Sequence, residues 1–162
     1  IACPGGDFCA LANARSIPIA AAITERYQDM DELHDLGEID LHISGCINSC
    51  GHHHSGHIGI LGVDKDGKEW YQVSLGGSDG SALSGAPVAG KVVGPSFAAD
   101  EVADVIEAII DTYRRERQAV QGSNETFIAT VRRVGAEPFK LAANSMRTST
   151  GKAVHVTETE AA

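Results

Sequence analysis

Positive charge is scarce where this sequence concentrates its chemistry. Residues 1–64 carry two basic side chains, Arg15 and Arg26, against nine acidic ones. Over all 162 residues, 22 Asp and Glu outweigh 13 Lys and Arg, for a net charge of −9. Nucleic acids and anionic membranes reward clustered Lys and Arg, so neither is an expected partner. No apolar run approaches the roughly 20 residues a membrane helix needs. The basic start and apolar stretch of a secretory signal are also missing, and a cytoplasmic location is expected. There is no initiator Met: the chain opens Ile1-Ala2-Cys3-Pro4, which reads as a cut point inside a longer protein.

What is present is an ordinary globular composition, 43% hydrophobic and 22% charged, with enough length for one domain with a core. The element order predicts an α+β fold: a small, mostly antiparallel sheet with helices packed on one side and cluster-binding loops at the sheet end. Asp7 to Asn13 reads as a turn or short helix carrying Cys9. Ser16 and Pro18 precede an Ala-rich helix from Ile19 to Tyr27. Asp29 to Leu36 fits a short helix stopped by Gly37. Ile39 to Ser44 alternates as a strand, Ile58 to Val63 and Trp70 to Leu75 form a hairpin about Asp64–Lys68, and Lys91 to Val93 is a short strand. Between them, residues 76–96 form a long Gly/Ser/Ala loop. The clearest helix runs from Ala99 to Gln118, with Val102, Val105, Ile106, Ile109, Ile110 and Tyr113 on one stripe. A second covers Glu125 to Val134. One domain is expected over 1–140. Residues 141–162 read as a polar tail, with Val154 and Val156 able to form an edge strand.

Four cysteines could make two disulfides, a metal site or unrelated core thiols, and nothing in the sequence suggests the export that favours disulfides. They fall in two pairs, Cys3-Pro-Gly-Gly-Asp-Phe-Cys9 and Cys46-Ile-Asn-Ser-Cys50. Structural zinc sites favour two to four residues between paired ligands, so the first pair is wide for zinc. Four thiolates are also the ligand set of a 4Fe–4S cluster. Gly5, Gly6, Gly45 and Gly51 flank the sulfurs, where an inorganic core needs close backbone approach and free N–H groups. Spacing favours the cluster over zinc and leaves both open.

The run Ala-Cys3-Pro-Gly with Cys9, then Ile-Ser-Gly-Cys46-Ile-Asn48-Ser-Cys50-Gly51-His52, resembles the sirohaem-dependent sulfite and nitrite reductase family. The resemblance continues through Ile58–Gly62, Tyr71–Gly77 and Phe127–Lys140, and so covers residues 1–140. It implies the C-terminal part of an oxidoreductase that reduces sulfite to sulfide, or nitrite to ammonia, by six electrons. Cys3, Cys9, Cys46 and Cys50 would hold one 4Fe–4S cluster. Cys50 would in addition be the axial ligand of the sirohaem iron, the catalytic bridge between the two centres. Asn48 would orient that junction by hydrogen bonding; its plain reading is a turn residue capping its own backbone. His52, His53, His54 and His57 invite a metal-ligand reading, against polar packing near the macrocycle. Gly76 and Gly77 read as a strand end or as room for the macrocycle edge.

Sulfite, nitrite and the carboxylate-rich sirohaem all need cationic partners, which Arg15 and Arg26 alone do not supply. The resemblance places those cations in preceding domains of the same protein, so the fragment alone is expected to be inactive. The electron donor would be ferredoxin or a flavoprotein. Two other readings use the same residues: a 4Fe–4S electron-transfer module without haem, and a four-cysteine zinc-stabilised binding domain.

Overall fold

The computed structural model describes residues 1–81 and 84–148. Along the chain run a 3-10 turn (Gly5–Asp7), helices α1 (Ile17–Arg26) and α2 (Met30–Leu36), and strands β1 (Leu41–Ser44), β2 (Ile58–Lys65), β3 (Lys68–Leu75), β4 (Lys91–Val92) and β5 (Phe97–Ala98). Helix α3 (Val102–Glu116), short strands β6 (Ala119–Val120) and β7 (Ser123–Asn124), and helices α4 (Phe127–Val134) and α5 (Glu137–Ser145) complete it.

The main sheet has the order β1-β2-β3-β4, with β5 also paired to β3. The expected hairpin is β2–β3, in register from Ile58↔Leu75 to Lys65↔Lys68. Its turn residues, Asp66 at φ 55° and Gly67 at φ 73°, both adopt the left-handed conformation that tight hairpins demand. The exception to antiparallel pairing is β1 with β2, which run parallel from Leu41↔Ile58 to Ser44↔Leu61. A parallel pair needs a long crossover, usually a helix. Here residues 45–57 make it without one. That irregular crossover carries Cys46, Cys50 and four histidines.

Alternation gives the sheet two faces. Leu41, Ile43, Ile58, Ile60, Tyr71, Val73 and Leu75 share the face packed into the main core with Ile19 and Ile23 of α1 and Val105, Ile106, Ile109 and Ile110 of α3. Ile58, Ile60 and Val73 are completely buried, each stabilising the fold by about 1.5–3 kcal/mol. The other face presents His42, Ser44, Gly59 and Ser74, and the crossover folds back onto it. His42 Nδ1 lies 3.0 Å from the His52 carbonyl and the Gly51 N–H donates to Ser44 Oγ at 3.1 Å. A Cβ on Gly59 would sit 2.0 Å from the His53 carbonyl.

Helix ends follow local chemistry. The Asp29 carboxylate accepts from the N–H groups of Asp31 and Glu32, and Gly37 stops α2 at φ 71°, as expected for this segment. The turn expected to carry Cys9 is present: a 3-10 turn at Gly5–Asp7 leads into one closed by the Ala12 N–H on the Cys9 carbonyl at 3.1 Å. One expectation needs correction. The expected tail boundary at residue 141 falls inside α5. Phe139 and Ala143 of that helix are fully buried, Asn144 donates to the Val93 carbonyl at 3.2 Å, and Arg147 donates to Ser96. Val154 and Val156 lie outside the described residues. No helix among the described residues is long and apolar enough to cross a membrane.

Candidate functional site

The cysteine loops meet at the end of β1. Residues 1–3 run alongside that strand: the Ile43 N–H donates to the Ile1 carbonyl at 2.9 Å and the Cys3 N–H to the Ile43 carbonyl at 3.0 Å. Cys3 is thereby set beside Gly45, the residue before Cys46. The chain then turns through Gly5–Asp7, with the Cys9 N–H on the Gly5 carbonyl at 2.9 Å. It returns so that Asn13 and Ala14 both donate to the Gly45 carbonyl, at 2.8 and 3.0 Å. This is backbone-to-backbone packing with no room for side chains. A Cβ on Gly45 would meet the Ala14 carbonyl at 2.6 Å, and one on Gly5 would meet Ser16 N at 2.4 Å.

All four cysteines are free thiols, which removes the disulfide reading for this fold. Cys46 is buried, Cys3 and Cys9 are half-buried, and Cys50 is exposed. Cys3 has the most developed surroundings. Its sulfur accepts from the Gly45 N–H at 3.1 Å and lies 3.3 Å from Ser16 Oγ. Burial alone would push this thiol up, but the hydrogen bonds from Ser16, Gly45 and Gly5 outweigh it and hold it below the ordinary cysteine value. Negative charge on that sulfur is favoured. Ser16 stands at the N-terminal cap of α1 yet makes no capping bond with its side chain; the hydroxyl is turned to Cys3 instead. Sequence reading had only the cap signal for Ser16 and no signal for this contact.

Ser49, between Asn48 and Cys50, takes φ 57°, and His52 takes φ 56°, so left-handed residues bracket Cys50. Such conformations cost about 1–3 kcal/mol each and cluster at functional sites. Asn48 is exposed, and among the described residues its side chain has no hydrogen-bond partner, so it does not cap its own backbone. Around these loops, Phe8, Leu11 and Ile47 stand 80, 72 and 77% exposed. An apolar rim therefore surrounds the thiols.

The histidines separate by burial. His52 and His54 are exposed, and His53 and His57 are buried. Burial, followed by the neighbouring His54, pushes His53 down to about 4, and its Nδ1 lies 3.1 Å from Ser49 Oγ. His57 is also lowered by burial and is bonded to Asp40 and Ser84. Among the described residues no three His, Cys, Asp or Glu side chains converge closely enough to hold a single metal ion, and this holds for the four thiols as it does for the histidines.

Both arginines of the first 64 residues are engaged by carboxylates. Arg15 grips Glu69 through Nε at 3.1 Å and a terminal nitrogen at 3.1 Å. Arg26 pairs with Asp104 and Glu107 of α3. Neither stands free to receive an anion. Gly77 also differs from the reading as open space, since a Cβ there would meet the Gly56 and His54 carbonyls at 2.4 and 2.5 Å. Its smallness seats one loop on another.

Comparison with known proteins bears on the same region. Residues 1–149 match the model of the nitrite and sulphite reductase 4Fe-4S domain family. The chain is similar to an assimilatory ferredoxin-dependent nitrite reductase of Haloferax mediterranei, at 29% identity over 129 residues, covering 75% of the chain and 21% of the relative. It is also similar to the sulfite reductase (NADPH) hemoprotein beta-component of Bacillus velezensis, at 29% identity, covering 73% of the chain and 20% of the relative. The chain thus spans about a fifth of the length of the curated relatives it matches. Among solved structures, the NirA protein of Mycobacterium tuberculosis superposes with a TM-score of 0.64 at 25% identity, covering 86% of this chain and 26% of that one. Dissimilatory sulfite reductase I shares the fold, with a TM-score of 0.69 at 16% identity over 98% of this chain and 54% of that one.

Proposed function

Because the chain belongs to the nitrite and sulphite reductase 4Fe-4S domain family, whose cofactors are a 4Fe–4S cluster and sirohaem, we propose that it is the cluster-holding part of a sirohaem sulfite or nitrite reductase. Cys3, Cys9, Cys46 and Cys50 would hold the cluster, and Cys50 would also ligate the sirohaem iron. By residue type and backbone setting the residues present fit that group. Four free thiols, glycines that permit close backbone approach, and N–H groups aimed at sulfur make the donor set and hydrogen-bonding shell of an iron–sulfur site. When bound, the cofactors supply the electron storage and the Lewis-acidic iron for six-electron reduction of sulfite to sulfide or nitrite to ammonia.

The chain's own residues ligate and orient. Ser16 and the Gly45 N–H stabilise negative sulfur at Cys3. Cys46 is held inside, and the left-handed residues Ser49 and His52 present Cys50 outward. The free amide of Asn48 and the apolar rim of Phe8, Leu11 and Ile47 suit a surface covered by the macrocycle and by the rest of the protein. The cysteine-bearing first 64 residues offer no arginine free of a carboxylate partner, so the cations for the anionic substrate and the sirohaem carboxylates would come from elsewhere in the protein. Electrons come from ferredoxin or a flavoprotein.

The observation that carries this reading is the hydrogen-bonded convergence of both cysteine loops on Gly45. Absorption and magnetic spectra of the full-length protein test it. Sirohaem bands together with a cluster signal, and loss of their coupling in Cys50→Ser, are the expected results. A cluster without haem would favour the electron-transfer module, and zinc without iron would refute the assignment. The chain alone, reconstituted with iron, sulfide and sirohaem, should sustain no sulfide or ammonia production.

A further inference from the structure

His57 lies outside the cysteine motif, yet it is 2% exposed and joins three segments of the chain. The Asp40 N–H, at the entry to β1, donates to its Nδ1 at 3.2 Å. That nitrogen therefore carries no proton, and Nε2–H donates to Ser84 Oγ at 2.8 Å. Asp40 Oδ2 lies 3.8 Å from Nε2, and the Phe127 ring stacks alongside at 6.5 Å. Ser84 is a node. Its carbonyl accepts from Ser78 Oγ at 3.0 Å and from Arg132 at 2.6 Å.

The glycine-rich stretches after β3 on either side of Ser84, residues 76–81 and 84–90, lie on the backbone following Cys50. Gly90 N–H donates to the His54 carbonyl at 2.9 Å, and Gly77 fits only because it lacks a Cβ against the His54 and Gly56 carbonyls. The backbone beneath is in turn tied to Cys50. His52 N–H donates to the Ser49 carbonyl at 2.8 Å, and the His52 carbonyl accepts from Ser55 N and Oγ and from His42.

We propose that His57 is a positioning residue: by pinning Ser84 it seats the glycine-rich loop on the His52–Gly56 backbone and so fixes the turn that presents Cys50. The significance of Cys50 rests on the function proposed above; the positioning does not.

The test is made on the full-length protein with its cofactors. His57→Leu keeps a similar volume but removes both ring hydrogen bonds, whereas His57→Gln retains one donor and one acceptor. Losing such bonds should speed amide exchange about tenfold in segments 76–90 and 49–56 together, and shift the spectroscopic signature of haem–cluster coupling. His57→Gln should restore both. Faster exchange confined to 76–90, or no change in either segment, would overturn the proposal and leave His57 a local packing residue. If His57→Leu fails to fold, Ser84→Ala, which removes the same hydrogen bond at its other end, and Arg132→Gln, which loosens the Ser84 carbonyl, should give the same two-segment response; an unchanged 49–56 segment in both would overturn it equally. Absence of iron and sirohaem from the wild type would defeat the functional reading, while the exchange result would still decide the positioning.

Discussion

The Gly45 N–H points at the sulfur of Cys3 from 3.1 Å, across 42 residues of sequence. The contact ties the first cysteine pair to the second before any metal is involved. Gly45 directly precedes Cys46, and its carbonyl holds Asn13 and Ala14 on the return of the first loop. One residue thus donates to a cysteine of one pair and directly precedes a cysteine of the other. Its peptide unit is the joint of the site.

Ser16→Ala should leave the Cys3 thiol harder to ionise. Burial already opposes its ionisation, and the Ser16 hydroxyl is the first of the hydrogen bonds that overcome that effect. Alkylation of the metal-free full-length protein at neutral pH, followed by mapping of the labelled cysteines, should show Cys3 reacting several-fold more slowly in the variant. Unchanged reactivity would mean that the Gly45 and Gly5 N–H groups suffice without the hydroxyl.

Gly45→Ala should be costly for a steric reason. The new methyl would lie 2.6 Å from the Ala14 carbonyl and 3.0 Å from Gly5 Cα, and both are backbone atoms that cannot swing aside. Forcing the two loops apart should destabilise the protein by about 1–3 kcal/mol and lower its bound iron. Gly37→Ala is the control. Gly37 has a positive φ of 71° with ψ −157° but nothing within 4 Å of the added atom, so about 1–3 kcal/mol of backbone strain is expected without crowding and iron content should hold. Urea midpoints and iron assays on the two variants separate crowding from strain.

These residues show where sequence reading works on this chain and where it stops. The stripe of α3 and the Asp66-Gly67 hairpin are local patterns, and the structure has both. The cysteine pairs were visible as a motif, but the parallel β1–β2 pairing was not, because a crossover without a helix leaves no periodic signal. Helix α5 was missed because it has only two buried apolar residues, Phe139 and Ala143, too few for a stripe. The contacts of His57 leave no local signal in the sequence, since Asp40 and Ser84 are 17 and 27 residues away.

Truncation after Ser145 should weaken the domain, although the sequence there reads as tail. The Glu101 carboxylate is buried at the start of α3 and accepts from Ala98 N at 2.9 Å and from Thr148 N and Oγ1 at 2.7 and 2.8 Å. Burial pushes this acid up, but the bonds from Thr148 and Ala98 hold it below the ordinary glutamate value. Removing residues 146–148 leaves a buried carboxylate with one donor in place of three and strips Arg147 from the Phe97 ring, 4.0 Å away. The expected loss is about 2–4 kcal/mol, read as a lowered thermal midpoint of the full-length protein. Adding Glu101→Gln to the truncation should recover part of it.

Acid should destabilise this domain through the buried histidines before most carboxylates are protonated. His53 is pushed from 6.5 down to about 4 by burial and by His54. His57 moves in the same direction, with burial outweighing the opposing pull of Asp40. In the unfolded chain each imidazole takes up a proton as pH falls through 6.5; folded His53 does not do so until about pH 4. Between these values the unfolded state binds more protons, so stability must fall as pH falls. The contribution is fully present above pH 6.5 and gone below about 4. Urea unfolding of the full-length protein at pH 7.0 and pH 4.5 should show a lower midpoint in acid. His53→Asn, which keeps a polar side chain near Ser49 but cannot titrate, should flatten the slope across that window. An equal slope in the variant would place the acid sensitivity on other groups.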